Sequence, residues 1–304
     1  MLDLELPASS SYIFGAVDAE DRSQVSTRWM ANQSSTQFLA VVEVDDETVE
    51  VGAASGSVTI HLHNQPEIER WIEHLVGTIF LDITGLSFRV WAPILRALCG
   101  TDRKFRLVYV EPLTYKRATG MSGGFDITEL TEGVAPLPGF ARIADLDDGP
   151  KPFVPMLGFE GNRLGRIIQR FEPADDSIYP VLGVPGYQYV FPFYSLVGNR
   201  QQLETGFMHS RIVLARANCP FDALFALDSI RIREGGGPIQ VAPIGTKPHA
   251  IGAALFAILR PNVELIYDHP RRAVQPSSGA SRTCVYYVSD FLHSRSAGSG
   301  VVAA

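Results

Sequence analysis

The chain lacks a long apolar run, a cysteine framework and a surplus of positive charge, and each absence closes off a class of protein. No stretch reaches the roughly 18 apolar residues of a membrane-spanning helix. The opening, MLDLELPASSS, has no basic segment ahead of an apolar one, as a secretory leader would. A soluble, cytoplasmic protein with no membrane partner is the expectation. The three cysteines, Cys99, Cys219 and Cys284, share no CxxC spacing, which fits a reducing compartment and neither a disulfide scaffold nor a zinc ribbon. Lys and Arg number 26 against 33 Asp and Glu, a net charge of -7, and this balance argues against bulk nucleic-acid binding. A full P-loop, a GxGxxG fingerprint, a GxSxG elbow, an HExxH pair and an EF-hand loop are also missing. No cofactor and no metal are expected.

What is present is apolar substance. With 304 residues, 46% of them hydrophobic, the chain can bury a large core without staples and has room for two domains. An internal repeat organises it. The stretch LDITGLSFRVWAPILRAL (81–98) and the stretch APIGTKPHAIGAALFAIL (242–259) each run from a strand-like segment through a glycine turn (Gly85, Gly245) into apolar residues at helical spacing. A second strand follows in both, FRLVYVEP (105–112) and VELIYDHP (263–270), with Tyr109 and Tyr267 each followed three places later by proline. Upstream, 12–23 and 153–165 match less cleanly, each a strand-like run ending in a charged turn. Strand, glycine turn, amphipathic helix and strand make a βαβ unit. The fold expected is α/β: two Rossmann-like domains with parallel sheets flanked by helices, over 1–145 and 150–304. The boundary is placed in the acidic, Pro- and Gly-containing stretch 144–152. In the first half 36–44 and 58–63 read as strands and 66–75 as a helix opened by proline; in the second half 211–217 reads as a strand and 219–230 as a helix started by Pro220. The aromatic stretch 187–204 has no clear period and reads as a connection over the sheet, 231–239 as a glycine-rich turn, 285–292 as a last strand, and 294–304 as a frayed tail.

In parallel sheets, ligands sit beyond the carboxyl ends of the strands, where helix N-termini present unpaired N–H groups. The turn PIGTKPH (243–249) combines Gly245 for close backbone approach, the Thr246 hydroxyl, the Lys247 cation and His249, a set that suits an anion. Its bland alternative is a capped turn with a solvated lysine. The matching turn DITG carries Asp82, Thr84 and Gly85, with Arg89 four residues on to supply a cation; Asp82 suits a ribose hydroxyl, or simply a cap. GFEGNR (158–163) adds Glu160, Asn162 and Arg163, and DAEDR (18–22) is its counterpart in the first half. For catalysis the candidates are Asp268 with His269 as an acid–base pair at a strand end, and Cys219 at a helix start with His249 or His269 nearby. A packed small cysteine is the ordinary alternative. HLH (61–63) puts two imidazoles on one strand face, with no third ligand evident for a metal.

The turns DITG and GTKP resemble the D-x-T-G-G-T-K turn of CRISPR-associated Rossmann-fold (CARF) domains, divided here between Asp82, Thr84 and Gly85 in one copy and Gly245, Thr246 and Lys247 in the other. Two such domains on one chain also resemble SAVED domains, which sense cyclic nucleotides in bacterial antiphage systems. The resemblance implies a sensor of a nucleotide or other phosphorylated small molecule, acting through a separate effector or partner protein. An enzyme acting on a nucleoside or nucleotide through Asp268, His269, Glu160 or Cys219 is the second expectation. A structural subunit of a larger assembly, using the aromatic segment 187–194 as its contact surface, is the third.

Overall fold

A computed structural model describes residues 4–15, 21–53, 56–115, 128–131, 133, 135–141, 151–272 and 277–298. The chain is α/β and divides into two compact units, one of residues 1–114 with 277–304 and the other of residues 115–276.

The first unit opens with β1 (Ser11–Gly15), α1 (Val25–Asn32), β2 (Gln37–Glu43), β3 (Thr48–Ala53), β4 (Gly56–His61), α2 (Gln65–Glu73), β5 (Ile79–Asp82), α3 (Phe88–Cys99) and β6 (Phe105–Tyr115). All residues of β1 and β5 are buried, as strands covered by helices on both faces must be. Accordingly β6, β5, β1 and β2 run parallel. The strands β3 and β4 then fold back antiparallel at the edge, so the sheet is mixed where a parallel one was expected. Helix α2 is started by Asn64, whose side chain accepts from the Glu67 amide, with Pro66 in the first turn. Tyr12, Phe14, Trp29 and Phe80 fill the core on one face of β1.

The second unit contains β7 (Thr128–Thr131), β8 (Ala135–Pro136), β9 (Phe153–Pro155), α4 (Gly161–Phe171), β10 (Val181–Gly183), α5 (Phe191–Gly198), α6 (Arg200–Glu204), β11 (Val213–Ala215), α7 (Pro220–Arg233), β12 (Ile239–Ala242), α8 (Lys247–Leu259), β13 (Val263–Tyr267) and β14 (Pro270–Arg272). β13, β12 and β9 are parallel neighbours. Single bridges from Phe153 to Ile178 and from Met156 to Val181 carry the pairing on toward β10, which pairs with β11. Helices α7 and α8 meet at Gly252, where a Cβ would stand 2.5 Å from the Pro220 carbonyl.

The chain then returns to the first unit with β15 (Ser277–Tyr286) and α9 (Val288–Gly298). β15 occupies the outer side of β6, and the Ser289 hydroxyl bonds both the amide and the carbonyl of Phe105. The division therefore falls after Thr114 and again before Ser277, not at the expected 145–150, because strand pairing draws the C-terminal segment back. Most of the stretch 144–152 lies outside the described residues. Three further expectations are corrected. The aromatic stretch 187–204 forms α5 and α6, and 285–292 is only the end of a strand before α9 begins. Helix α7 also extends three residues into the supposed turn 231–239.

Candidate functional site

In the second unit the chain leaving β9 goes to β10 on one side, while the chain leaving β12 goes to β13 on the other. Their carboxyl ends thus flank the point where strand order reverses, the usual ligand crevice of an open parallel sheet. The two turns touch there, for a Cβ on Gly245 would stand 2.7 Å from the Leu157 carbonyl. Only glycine permits this approach. Thr246 caps α8, accepting from the His249 amide at 3.3 Å, and donates to the Ala217 carbonyl at 2.8 Å. Its hydroxyl is thereby engaged in tying α8 to the turn after β11. Lys247 is the first residue of α8, and Pro248 brings no N–H, so attraction for an anion at this end rests on the lysine and the helix dipole. His249 is wholly buried; its Nε2 lies 3.1 Å from the Arg216 carbonyl, while Nδ1 has no hydrogen-bond partner. Burial pushes its pKa down to about 4, against the pull of the Arg216 and Ala215 carbonyls. The imidazole is therefore neutral and faces the backbone.

Arg163 and Asp268, 105 residues apart, form a bidentate pair, Nε to Oδ2 at 2.7 Å and Nη2 to Oδ1 at 2.6 Å. A third guanidinium bond reaches the Ile244 carbonyl at 3.3 Å, and the guanidinium carbon lies 5.8 Å from the Tyr267 ring centre. Burial opposes the arginine's charge, but the hydrogen bonds and charge of Asp268 outweigh it and raise the pKa. Both carboxylate oxygens of Asp268 face the arginine, so the structure joins Asp268 to Arg163 rather than to His269. His269 takes a positive φ of 42° and sets its ring against Tyr267. Cys219 precedes α7, its Sγ 3.8 Å from Arg216 Nη2; His249 turns to the Arg216 carbonyl, not to the thiol.

Glu160 is the residue before α4 and makes no side-chain cap to it. Beside it, Gly161 and Gly198 meet backbone to backbone, a Cβ on Gly161 falling 2.0 Å from the Gly198 carbonyl. The Gly158 carbonyl accepts from Ser195 and Asn199, both at 2.8 Å. The junction of α5 and α6 thus lies against the start of α4. What opens beside it is a polar groove of about 610 Å³ lined by Asn162, Arg200, Gln201, Gln202 and Thr205 among others.

The first unit's turn is bonded internally. Asp82 accepts from the Tyr12 hydroxyl and from the Thr84 amide, each at 2.8 Å, and the Thr84 hydroxyl accepts from the Val110 amide at 2.9 Å. Burial, with the Asp82 charge adding to it, raises the Tyr12 pKa well above its ordinary value. Gly85 lies against Gly15, where a Cβ would stand 2.9 Å from the Gly15 carbonyl. Arg89 is drawn away to β2 and the turn after it, pairing with Glu43 and Asp46. Two carboxylates meet its charge there. Arg22, the last residue of DAEDR, takes the inner position: buried, it donates to the Tyr109 hydroxyl at 2.8 Å and the Val110 carbonyl at 3.1 Å. Its signal was the shared Tyr109 and Tyr267, since Arg163 lies over Tyr267 as Arg22 lies over Tyr109. In DAEDR, residues 18–20 lie outside the described residues, and Asp21 accepts from the Gly279 amide. His61 pairs with Glu67 and His63 with Glu47. Among the described residues no cluster of His, Cys, Asp or Glu is arranged to hold a metal ion, and no helix is long and apolar enough to cross a membrane.

No known protein family, curated protein or solved structure matches the chain.

Proposed function

We propose that the protein is a sensor of an anionic small molecule, a nucleotide or another phosphorylated compound, built from two Rossmann-like units of one plan. The observation that carries the reading is the glycine crossing at the β9/β12 switch point, with Lys247 heading α8 beside it. A matched crossing, Gly15 with Gly85, stands in the other unit. Three correspondences support a common plan. In each unit the first core strand lies between its successor and the strand of the later βαβ segment. Each has a glycine pair at that crossing, and each has an arginine following the first strand that lies over the tyrosine of the last.

Lys247 supplies the charge for the phosphate, and Asn162 and Glu160 supply polar contacts from the α4 side. Arg163 and Asp268 hold the frame of the site, and the first unit's Asp82 and Thr84 hold its own turn. The resemblance to CARF and SAVED domains favours a nucleotide as ligand and a separate protein as the reader of the bound state, with antiviral defence as the setting. An enzymatic role for Asp268 is less well supported, because its carboxylate is committed to Arg163.

The test is native mass spectrometry of the purified protein, with denaturing analysis of any small molecule released, repeated on Lys247→Ala. A phosphorylated ligand that is absent from the variant, with an unchanged circular dichroism spectrum, is the expected result. A ligand retained in full by Lys247→Ala, or an empty protein unresponsive to mono-, di-, tri- and cyclic nucleotides in thermal-shift assays, overturns the reading.

A further inference from the structure

Between Asp176 and Arg200 the chain carries no charged residue, and α5 lies within this stretch. One side of α5 is anchored. Phe191, Ser195 and Asn199 recur at four-residue spacing and are buried, the last two donating to the Gly158 carbonyl. Phe191 enters an aromatic cluster with Phe159 at 5.3 Å and Tyr115 at 5.7 Å between ring centres. On the opposite side Phe193 and Val197 are 65% and 71% exposed, and Tyr189 and Val190, in the turn that leads into α5, extend this stripe at 93% and 37%. A helix apolar all round belongs in an interior, yet this one is held by one side only.

We propose that this stripe is the contact between two copies of the chain, paired about a twofold axis. Charge argues for a second copy. The protein carries a net charge of -7, so most of its surface repels itself, whereas this stripe brings no charge against charge when it meets its own image. Area argues the same way. The four side chains expose on the order of 600 Å², as large as the largest apolar patch expected on a monomer. Two copies together would cover about 1,200 Å², the size at which specific interfaces begin. A twofold interface must be self-complementary, and a row of tyrosine, phenylalanine and valine satisfies that without a matching donor and acceptor. With the axis through the middle of the stripe, Phe193 meets the Phe193 of the second copy.

Sedimentation equilibrium of the full chain across a range of concentrations tests the pairing, alongside Phe193→Asp. The wild type is expected to be dimeric at concentrations of about 10 µM and above. Phe193→Asp, which sets two carboxylates against each other, should weaken the dimer at least about thirtyfold with an unchanged circular dichroism spectrum. Phe193→Cys should form an inter-chain disulfide under mild oxidation that the wild type, with its three cysteines, does not form. A wild type that stays monomeric throughout, or a dimer undisturbed by Phe193→Asp, overturns the proposal.

Discussion

Gly158 and Gly245 stand so close that a Cβ on the first would lie 2.5 Å from the carbonyl oxygen of Ile244, the residue before the second. Neither has a positive φ, so space and not backbone conformation requires glycine at both places. Alanine at either position must push two strand-end turns apart. We expect Gly158→Ala and Gly245→Ala each to cost about 2–4 kcal/mol in urea unfolding. Gly237→Ala, with no neighbour within 4 Å, should change stability by less than about 1 kcal/mol. Equal losses at all three would show that the crossing is not the constraint.

The buried pair of Arg163 and Asp268 should behave as a unit. Removing one partner strands a charge, so Asp268→Asn is expected to cost about 3–5 kcal/mol. Replacing both, as Arg163→Met with Asp268→Leu, should recover much of that loss. A double-mutant cycle by chemical denaturation measures the coupling, and additive single losses would remove the argument.

His249 predicts an acid-side loss of stability. Its folded pKa, lowered to about 4 from 6.5 by burial, means the unfolded chain takes up a proton between those values while the folded chain does not. The contribution is complete above pH 6.5 and fades as the pH falls toward 4, by about 3 kcal/mol in all. His249→Gln should show a flatter fall in unfolding free energy over that window. A variant that follows the wild-type slope would exclude the imidazole as its source.

Tyr12→Phe removes the bond that the Tyr12 hydroxyl gives to the buried carboxylate of Asp82. The expected cost is about 1–3 kcal/mol, measurable in the same denaturation assay. Tyr12→Phe with Asp82→Leu should cost less than the sum of the two changes. Loss of the Tyr12 hydroxyl without effect would mean that solvent replaces it.

The βαβ segments around 81–112 and 242–270 were legible because buried strands, a glycine turn and a helical period succeed one another within one short stretch. Helix α5 was not, since FPFYSLVG is apolar on both faces and offers no contrast from which a 3.6-residue period can be read. Strand β3 alternates valine with Thr48, Glu50 and Gly52 but lies against a turn rich in acidic residues, and no strand was read there. Asp82, Thr84 and Gly245 were found as turn residues. Their partners were not, because Tyr12 and Val110 come from other strands and Leu157 from the turn after one, and pairing across a sheet leaves no mark in local composition. The same holds for Arg89, which was assigned to its own turn but answers to Glu43 and Asp46. The division into units was misplaced for a related reason: nothing in the residues of β15 states that they pair with β6, well over a hundred positions earlier.

That return of the chain has a consequence for biogenesis. Because β15 and α9 belong with β6, the whole of 115–276 leaves the ribosome before the first unit is complete. The later-synthesised unit can close while the earlier one still presents an open strand edge, and such an edge invites pairing with other nascent chains. A chain ending before Ser277 would carry that exposed edge permanently.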